Sequence, residues 1–240
     1  MKIGGLEKLS LIDYPGNLSA IVFTTACNFR CHFCYNPMLV WPLEELGGIE
    51  YKNKGFSPIL EEDLFLFLRS RVGKLDGVVI TGGEPTMHSD LPKFIQKIRE
   101  LGFKIKLDTN GTNPKMLREM INDNLIDYLA MDLKAPLDKY QSVVGVAVDC
   151  QKLLESVKIV VTSGLPHEFR TTVTPGLLEL DDFFEMGKII QGADAWYLQK
   201  FKSDTDLVDP KFQGKKAFSI QEMEKMAQIG SEFVKLCQLR

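Results

Sequence analysis

The chain has 240 residues, and its 29 Lys+Arg against 32 Asp+Glu leave a formal charge of −3. A composition that is 45% hydrophobic and 25% charged is ordinary for a globular protein and excludes wholesale disorder. The near-neutral balance gives no reason to expect nucleic acid or an anionic membrane as a partner, and no apolar run approaches the roughly eighteen residues of a membrane span. The opening Met1-Lys2-Ile3-Gly4-Gly5 has no apolar core leading to a cleavage site, so the expected location is a reducing cytoplasm. There, cysteines suit metal binding or catalysis better than a disulfide framework.

Leu18 to Thr24 reads as a buried strand running directly into three of the five cysteines, Cys27-Asn28-Phe29-Arg30-Cys31-His32-Phe33-Cys34. The stretch from Pro37 to Pro58 is the longest irregular segment, a lid, a partner-binding loop or a surface insertion. Leu64, Phe65, Phe67 and Leu68 predict a helix over Glu61 to Val72. A short strand from Gly77 to Thr81 ends in Gly82-Gly83-Glu84-Pro85, and Leu91, Phe94, Ile95, Ile98 and Leu101 then repeat with helical period up to Gly102. Phe103 to Leu107 is a strand ending in Asp108-Thr109-Asn110-Gly111, after which Asn113-Pro114 starts a helix. Tyr128 to Leu133 is a strand ending in Asp132-Leu133-Lys134, followed by a helix carrying Cys150. A strand from about Phe169 to Thr174, a helix on Phe183, Met186 and Ile190, and a strand from Ala195 to Phe201 complete the alternation. Ser219 and Glu222 form a capping box, with Phe218 and Met223 as staple, for a final helix over residues 219–237. Cys150 and Cys237 fall on apolar helical faces and are expected in the core.

Six strands alternating with helices predict an α/β protein with a parallel sheet and right-handed crossovers, organised as one domain over residues 1–240. The polar clusters all fall just after strands, where parallel α/β folds assemble their ligand sites. Three cysteines within eight residues can surround one soft metal centre but supply no fourth ligand. Structural zinc would need His32, His88 or His167 to complete its set, and an electron-carrying cluster would take four thiolates. Three thiolates with one open position suit a [4Fe–4S] cluster that binds a further ligand on its unique iron.

Cys27-x3-Cys31-x-Phe33-Cys34 after the first strand, with Gly82-Gly83-Glu84-Pro85 after the second, resembles the radical S-adenosylmethionine (radical SAM) superfamily. The resemblance implies a partial (β/α)6 barrel of the TIM type. It further implies a [4Fe–4S] cluster on Cys27, Cys31 and Cys34, whose unique iron takes the methionine amino and carboxylate groups of SAM. By the same resemblance Phe33 lies near the adenine, and Gly82 and Gly83 allow close backbone approach. Glu84 or its neighbouring carbonyls accept from the SAM ammonium, and Arg170 holds its carboxylate. A strand-end ion pair is the other reading of Arg170.

Asp13-Tyr14-Pro15-Gly16, Asn36-Pro37, Asp108-Thr109-Asn110-Gly111 and Asp132-Leu133-Lys134 together resemble the activating enzymes of glycyl radical enzymes. The opening Leu9 to Gly16 is most similar to activases of anaerobic ribonucleoside-triphosphate reductase. That resemblance implies SAM contacts at Asp108, Asp132 and Lys134, a monovalent cation between the two aspartates, and a SAM-facing position for Gln199. It also implies a glycyl radical enzyme as client and flavodoxin or ferredoxin as electron donor. Tyr35 and Gln199 depart from the histidines that many activases carry there. The competing readings are an activase of the pyruvate formate-lyase type, a radical enzyme acting on a small molecule or peptide, and a non-catalytic zinc module.

Overall fold

Ala20-Ile21-Val22 and Val78-Val79-Ile80 are runs of small and β-branched residues with no polar alternation, the pattern of strands buried on both faces. In the computed structural model, which describes residues 1–41 and 58–240, they form the centre of the first of two compact units. That unit comprises residues Met1–Asn28, Met38–Thr109 and Lys115–Leu129; the second comprises Phe29–Pro37, Asn110–Pro114 and Ala130–Arg240.

In the first unit, β1 (Ile3–Ser10) pairs antiparallel with β2 (Ser19–Thr24), and β2 pairs parallel with β3 (Gly77–Gly82) from Ser19↔Gly77 to Thr24↔Gly82. β4 (Lys104–Thr109) joins β3 in parallel, starting at Gly77↔Lys104. Short α1 (Pro37–Val40) follows the cysteine segment, and α2 (Glu61–Arg69), α3 (Leu91–Arg99) and α4 (Pro114–Asn122) follow in order. Both α2 and α3 bury the predicted stripe, Leu64, Phe65 and Leu68 on one and Leu91, Phe94, Ile95 and Ile98 on the other. The Phe65 and Phe94 rings meet edge to face at 5.9 Å. Tyr14 plugs the strand amino ends: it is buried with Ile21 and Val79, and a Cβ on Gly77 would stand 2.8 Å from its ring.

β5 (Tyr128–Asp132) leads into the second unit. There β6 (His167–Val173), β7 (Ala195–Lys200) and β8 (Cys237–Leu239) pair in parallel, with Arg170↔Tyr197 and Trp196↔Cys237 in register. α5 (Tyr140–Val144), α6 (Cys150–Thr162), α7 (Asp182–Ile189) and α8 (Ile220–Gly230) complete the elements. Strand order in the eight-stranded, mostly parallel sheet follows the chain from β1 to β8. A buried relay ties three strands of this unit: Trp196 Nε1 donates to Thr171 Oγ1, which donates to the Leu133 carbonyl.

The six expected strands are present, flanked by β1 and β8, which the alternation did not foretell. The last helix is shorter than expected. It begins at the capping box as read, but stops at Gly230 rather than continuing to residue 237. The chain turns there and returns as β8 against the helix end, so close that a Cβ on Gly230 would lie 2.6 Å from Cys237 Sγ and 2.9 Å from Trp196 Cε3. Cys237 is therefore a strand residue, and burial pushes its thiol up to about 12. Cys150 opens α6 half-buried, with its thiol 3.9 Å from the Leu137 carbonyl, while the buried stripe begins at Leu153. The expected lid or partner-binding role of the stretch from Pro37 to Pro58 falls mainly on residues outside the described ones.

Candidate functional site

The carboxyl ends of β2, β3 and β4 carry the first unit's share of the site. After β2 the backbone turns through Ala26 at φ 67°, a left-handed conformation that costs a non-glycine residue roughly 1–2 kcal/mol. Three bonds hold this turn: Cys27 N donates to the Val40 carbonyl at 2.9 Å, Gly83 N to Thr24 and Glu84 N to Ala26, both at 2.8 Å. The Gly-Gly pair is explained here. A Cβ on Gly82, at φ 121°, would lie 2.3 Å from Thr24 N, and one on Gly83 would lie 2.0 Å from the Ala26 carbonyl. The close approach these glycines permit is to the chain itself, directly before Cys27. Gly83→Ala should therefore displace the Cys27 turn, and a measured stability loss of several kcal/mol is the expected result, since the crowding atoms belong to the backbone of Ala26 and Leu39.

Glu84 is 1% exposed, and its Oε1 accepts from Thr86 N, Thr86 Oγ1 and Thr109 Oγ1 at 3.1, 2.5 and 2.7 Å. Its carboxylate thus ties the β3 and β4 ends. Asp108 ends β4 with Oδ1 2.8 Å from Lys106 Nζ, and both side chains are buried. Lys106 was missed by sequence reasoning. Its signal is its place two residues before Asp108 on the same strand, and so on the same face.

In the second unit Cys31 is buried and Cys34 half-buried, with Cys34 N donating to the Cys31 carbonyl at 3.0 Å. Burial pushes the Cys31 thiol up to about 12 and raises that of Cys34, against the opposing pull of Lys134. Phe33 is buried with its ring centroid 5.7 Å from Lys134 Nζ. Lys134 Nζ lies 3.1 Å from Asp132 Oδ2, while Arg170 places Nε and Nη2 each 3.0 Å from Asp132 Oδ1. Burial alone would raise the Asp132 carboxyl, but Arg170 and Lys134 outweigh it and hold it at about 2. The strand-end ion pair is thus present at Arg170. Tyr140, also missed, accepts from Lys134 N and donates to the Asp132 carbonyl, both at 3.4 Å. Gln199 stands half-buried on β7 opposite Thr172.

Among the described residues, no three His, Cys, Asp or Glu side chains are grouped to hold a metal ion. All three histidines are engaged elsewhere. His32 Nε2 donates to the Ser142 carbonyl at 2.9 Å and its Nδ1 stands 3.1 Å from Asp209 Oδ2; His88 Nε2 donates to the Thr25 carbonyl at 2.8 Å. His167 lies against Asp194 through Nδ1 and accepts from Asp194 N through Nε2. None of the three histidines is therefore left to complete a zinc site. The Asp13-Tyr14-Pro15-Gly16 signature lies at the amino ends of the strands, packing Tyr14, and not at the carboxyl ends with the other clusters.

The family model of the radical SAM superfamily matches residues 21–186. The chain belongs to this superfamily. Among the radical SAM relatives, a Methanocaldococcus jannaschii protein named "Putative glycyl-radical enzyme activating enzyme" is 31% identical over 237 residues, spanning 97% of this chain and 92% of its own length. The crystal structure of Streptococcus suis SuiB bound to precursor peptide SuiA superposes with a TM-score of 0.68 at 15% identity over 92% of this chain, which spans about half (48%) of SuiB. A domain of pyruvate-formate lyase-activating enzyme from Bacteroides vulgatus has a TM-score of 0.55 at 16% identity, covering 68% of this chain and 98% of that domain. At these identities the two structures speak for the fold alone.

Radical SAM enzymes use a [4Fe–4S] cluster and SAM, and the donor set fits the cluster. Cys27, Cys31 and Cys34 form no disulfide. The imidazole between them is turned away onto Ser142 and Asp209, so the segment offers sulfur alone, the soft donor that iron–sulfur clusters take. Thr24 and Thr25 add two buried hydroxyls, without partners among the described residues, immediately before the cysteine segment.

Proposed function

We propose that this radical SAM enzyme activates a glycyl radical enzyme by removing the α-hydrogen of a glycine in that protein, with an anaerobic ribonucleoside-triphosphate reductase as the client. The observation that carries the reading is the 31% identity with an M. jannaschii protein of that designation across nearly the full length of both chains. The Asp-Thr-Asn-Gly and Asp-Leu-Lys segments at the strand carboxyl ends, and the Leu9 to Gly16 opening, support it from within the sequence.

When bound at these residues, a reduced [4Fe–4S] cluster would supply one electron to the sulfonium of SAM, and SAM cleaved in this way would supply the hydrogen-abstracting chemistry. The residues of this chain bind and orient. Cys27, Cys31 and Cys34 hold the cluster, and Phe33 lays a flat apolar face toward the adenine. Carbonyls of the Gly82-Gly83-Glu84 loop receive the SAM ammonium, with Glu84 bracing the loop through Thr86 and Thr109. Lys134 and Arg170 place Asp132 and keep its carboxylate ionised, and Lys106 places Asp108, each as a candidate contact for SAM or a monovalent cation. Gln199 lines the same strand ends. A flavodoxin or ferredoxin in the cytoplasm supplies the electron.

Anaerobically reconstituted, reduced enzyme incubated with SAM and the client should produce a glycyl doublet in the client's electron paramagnetic resonance spectrum, with one 5′-deoxyadenosine formed per radical. SAM cleavage without a doublet in any candidate client would remove the activase reading and leave the superfamily assignment standing.

A further inference from the structure

From Phe201 to Ser219 the chain leaves β7 and travels nineteen residues before α8 begins, longer than an ordinary connection in an α/β fold. This stretch lies on the cysteine segment. Val208 N donates to the Cys34 carbonyl at 2.9 Å, and Asp209 N donates to the His32 carbonyl at 3.2 Å. Asp209 Oδ2 stands 3.1 Å from His32 Nδ1, and the Phe212 ring stacks on the His32 imidazole at 5.7 Å and 16°. Asp209 also accepts from Lys211 N, capping the single 3-10 turn Pro210–Phe212 that presents Phe212. On its other side the cysteine segment rests on α5: Arg30 N donates to the Val144 carbonyl, His32 Nε2 to the Ser142 carbonyl, and Phe29 meets Tyr140 edge to face. Cys31 and Cys34 therefore sit in a segment held from both sides, and His32 is the residue that both sides grip.

We propose that residues 201–219 form a strap latched over the cysteine segment by Asp209 and Phe212 acting on His32, and that these positioning residues keep the Cys31 and Cys34 thiols in place and screen the cluster from solvent. The proposal rests on the reading of Cys31 and Cys34 as cluster ligands. Two backbone bonds alone leave a long segment weakly fixed, because each contributes only about 1 kcal/mol net. The ring stack and the carboxylate contact add side-chain anchors on one imidazole, so loss of either loosens both. Shielding also matters chemically: an exposed cluster loses iron to chelators and is oxidised by dioxygen, whereas a covered one must wait for the strap to open.

The test uses the reconstituted holoenzyme and three variants, Asp209→Ala, Asp209→Asn and Phe212→Ala, with two readouts independent of any client. One is the rate of iron release to a chelator under anaerobic conditions. The other is the rate of tryptic cleavage at Lys211 and Lys215. Asp209→Ala and Phe212→Ala should each speed both rates about tenfold, the effect of an anchoring loss near 1.4 kcal/mol. Asp209→Asn, whose amide oxygen can still accept, should restore most of the protection. Combining Asp209→Ala with Phe212→Ala should give less than the product of the separate effects, as for two contacts on one residue. Unchanged iron release with accelerated strap cleavage would overturn the shielding; unchanged rates for both would overturn the latch. Should Phe212→Ala fail to fold, the Asp209 pair decides alone. Failure of the ligand reading is seen separately, as full iron content in Cys31→Ser.

Discussion

Cys31→Ser is expected to leave the protein folded but unable to keep a cluster. Iron should fall from about four per chain to a small fraction of that, and 5′-deoxyadenosine formation from SAM should drop to the level of iron-free protein. The physical reason is the donor. A serine hydroxyl is harder and far less acidic than a thiol, and the segment offers no replacement, since His32 is committed to Ser142 and Asp209. Burial that disfavours the free thiolate of Cys31 is reversed once a cationic iron is bonded to it, so this position gains more from the cluster than an exposed cysteine would. Cys150→Ser and Cys237→Ser serve as controls and should retain iron, because one thiol opens α6 and the other lies on β8 against Gly230. Anaerobic metal analysis and absorbance near the sulfur-to-iron charge-transfer bands read the outcome. Zinc without iron in the wild type, or normal iron in Cys31→Ser, would defeat the ligand assignment.

Asp132→Ala should cost about 3 kcal/mol in urea denaturation at pH 7, more than an ordinary surface ion-pair loss. The carboxylate is shared by Lys134 and Arg170, whose side chains are 14% and 13% exposed, so its removal strands two sheltered cations. A carboxyl held at about 2 against a reference of 3.8 accounts by itself for about 2 kcal/mol of pH-linked stability. Because the folded value is depressed, that contribution is complete above about pH 4 and is lost as the pH falls toward 2. The gap between wild type and variant should narrow over that interval. A gap that is constant from pH 7 to pH 2, or under 1 kcal/mol at pH 7, would show that the pair does not carry this load.

Much of the architecture was legible because it depends on local signals. The Leu18–Thr24 and Gly77–Thr81 runs declare buried strands by their β-branched content, the Ala195–Phe201 run does so by its aromatic residues, and Ser219 with Glu222 declares a helix start by a bond between neighbours. The helix end was misread for the opposite reason. Nothing within a few residues of Gly230 signals the stop; its close neighbours there, Trp196 and Cys237, are distant in sequence or on the returning strand. β1 and β8 escaped notice because edge strands are half exposed and lack the continuous apolar run of their buried neighbours.

The candidate site divides along the same line. The sequence by itself determined the donors: three thiols at fixed spacing, a Gly-Gly-Glu turn and two acidic strand ends, since residue type and spacing set which chemistry is available. Only the tertiary structure decided how those groups are used. It turned the glycines toward their own chain, spent Glu84 on threonine hydroxyls, joined Asp132 to Arg170 across 38 positions, and drew Asp209 onto His32. Which donor meets which acceptor depends on burial and on contacts remote along the chain, and neither is written in any local run of residues.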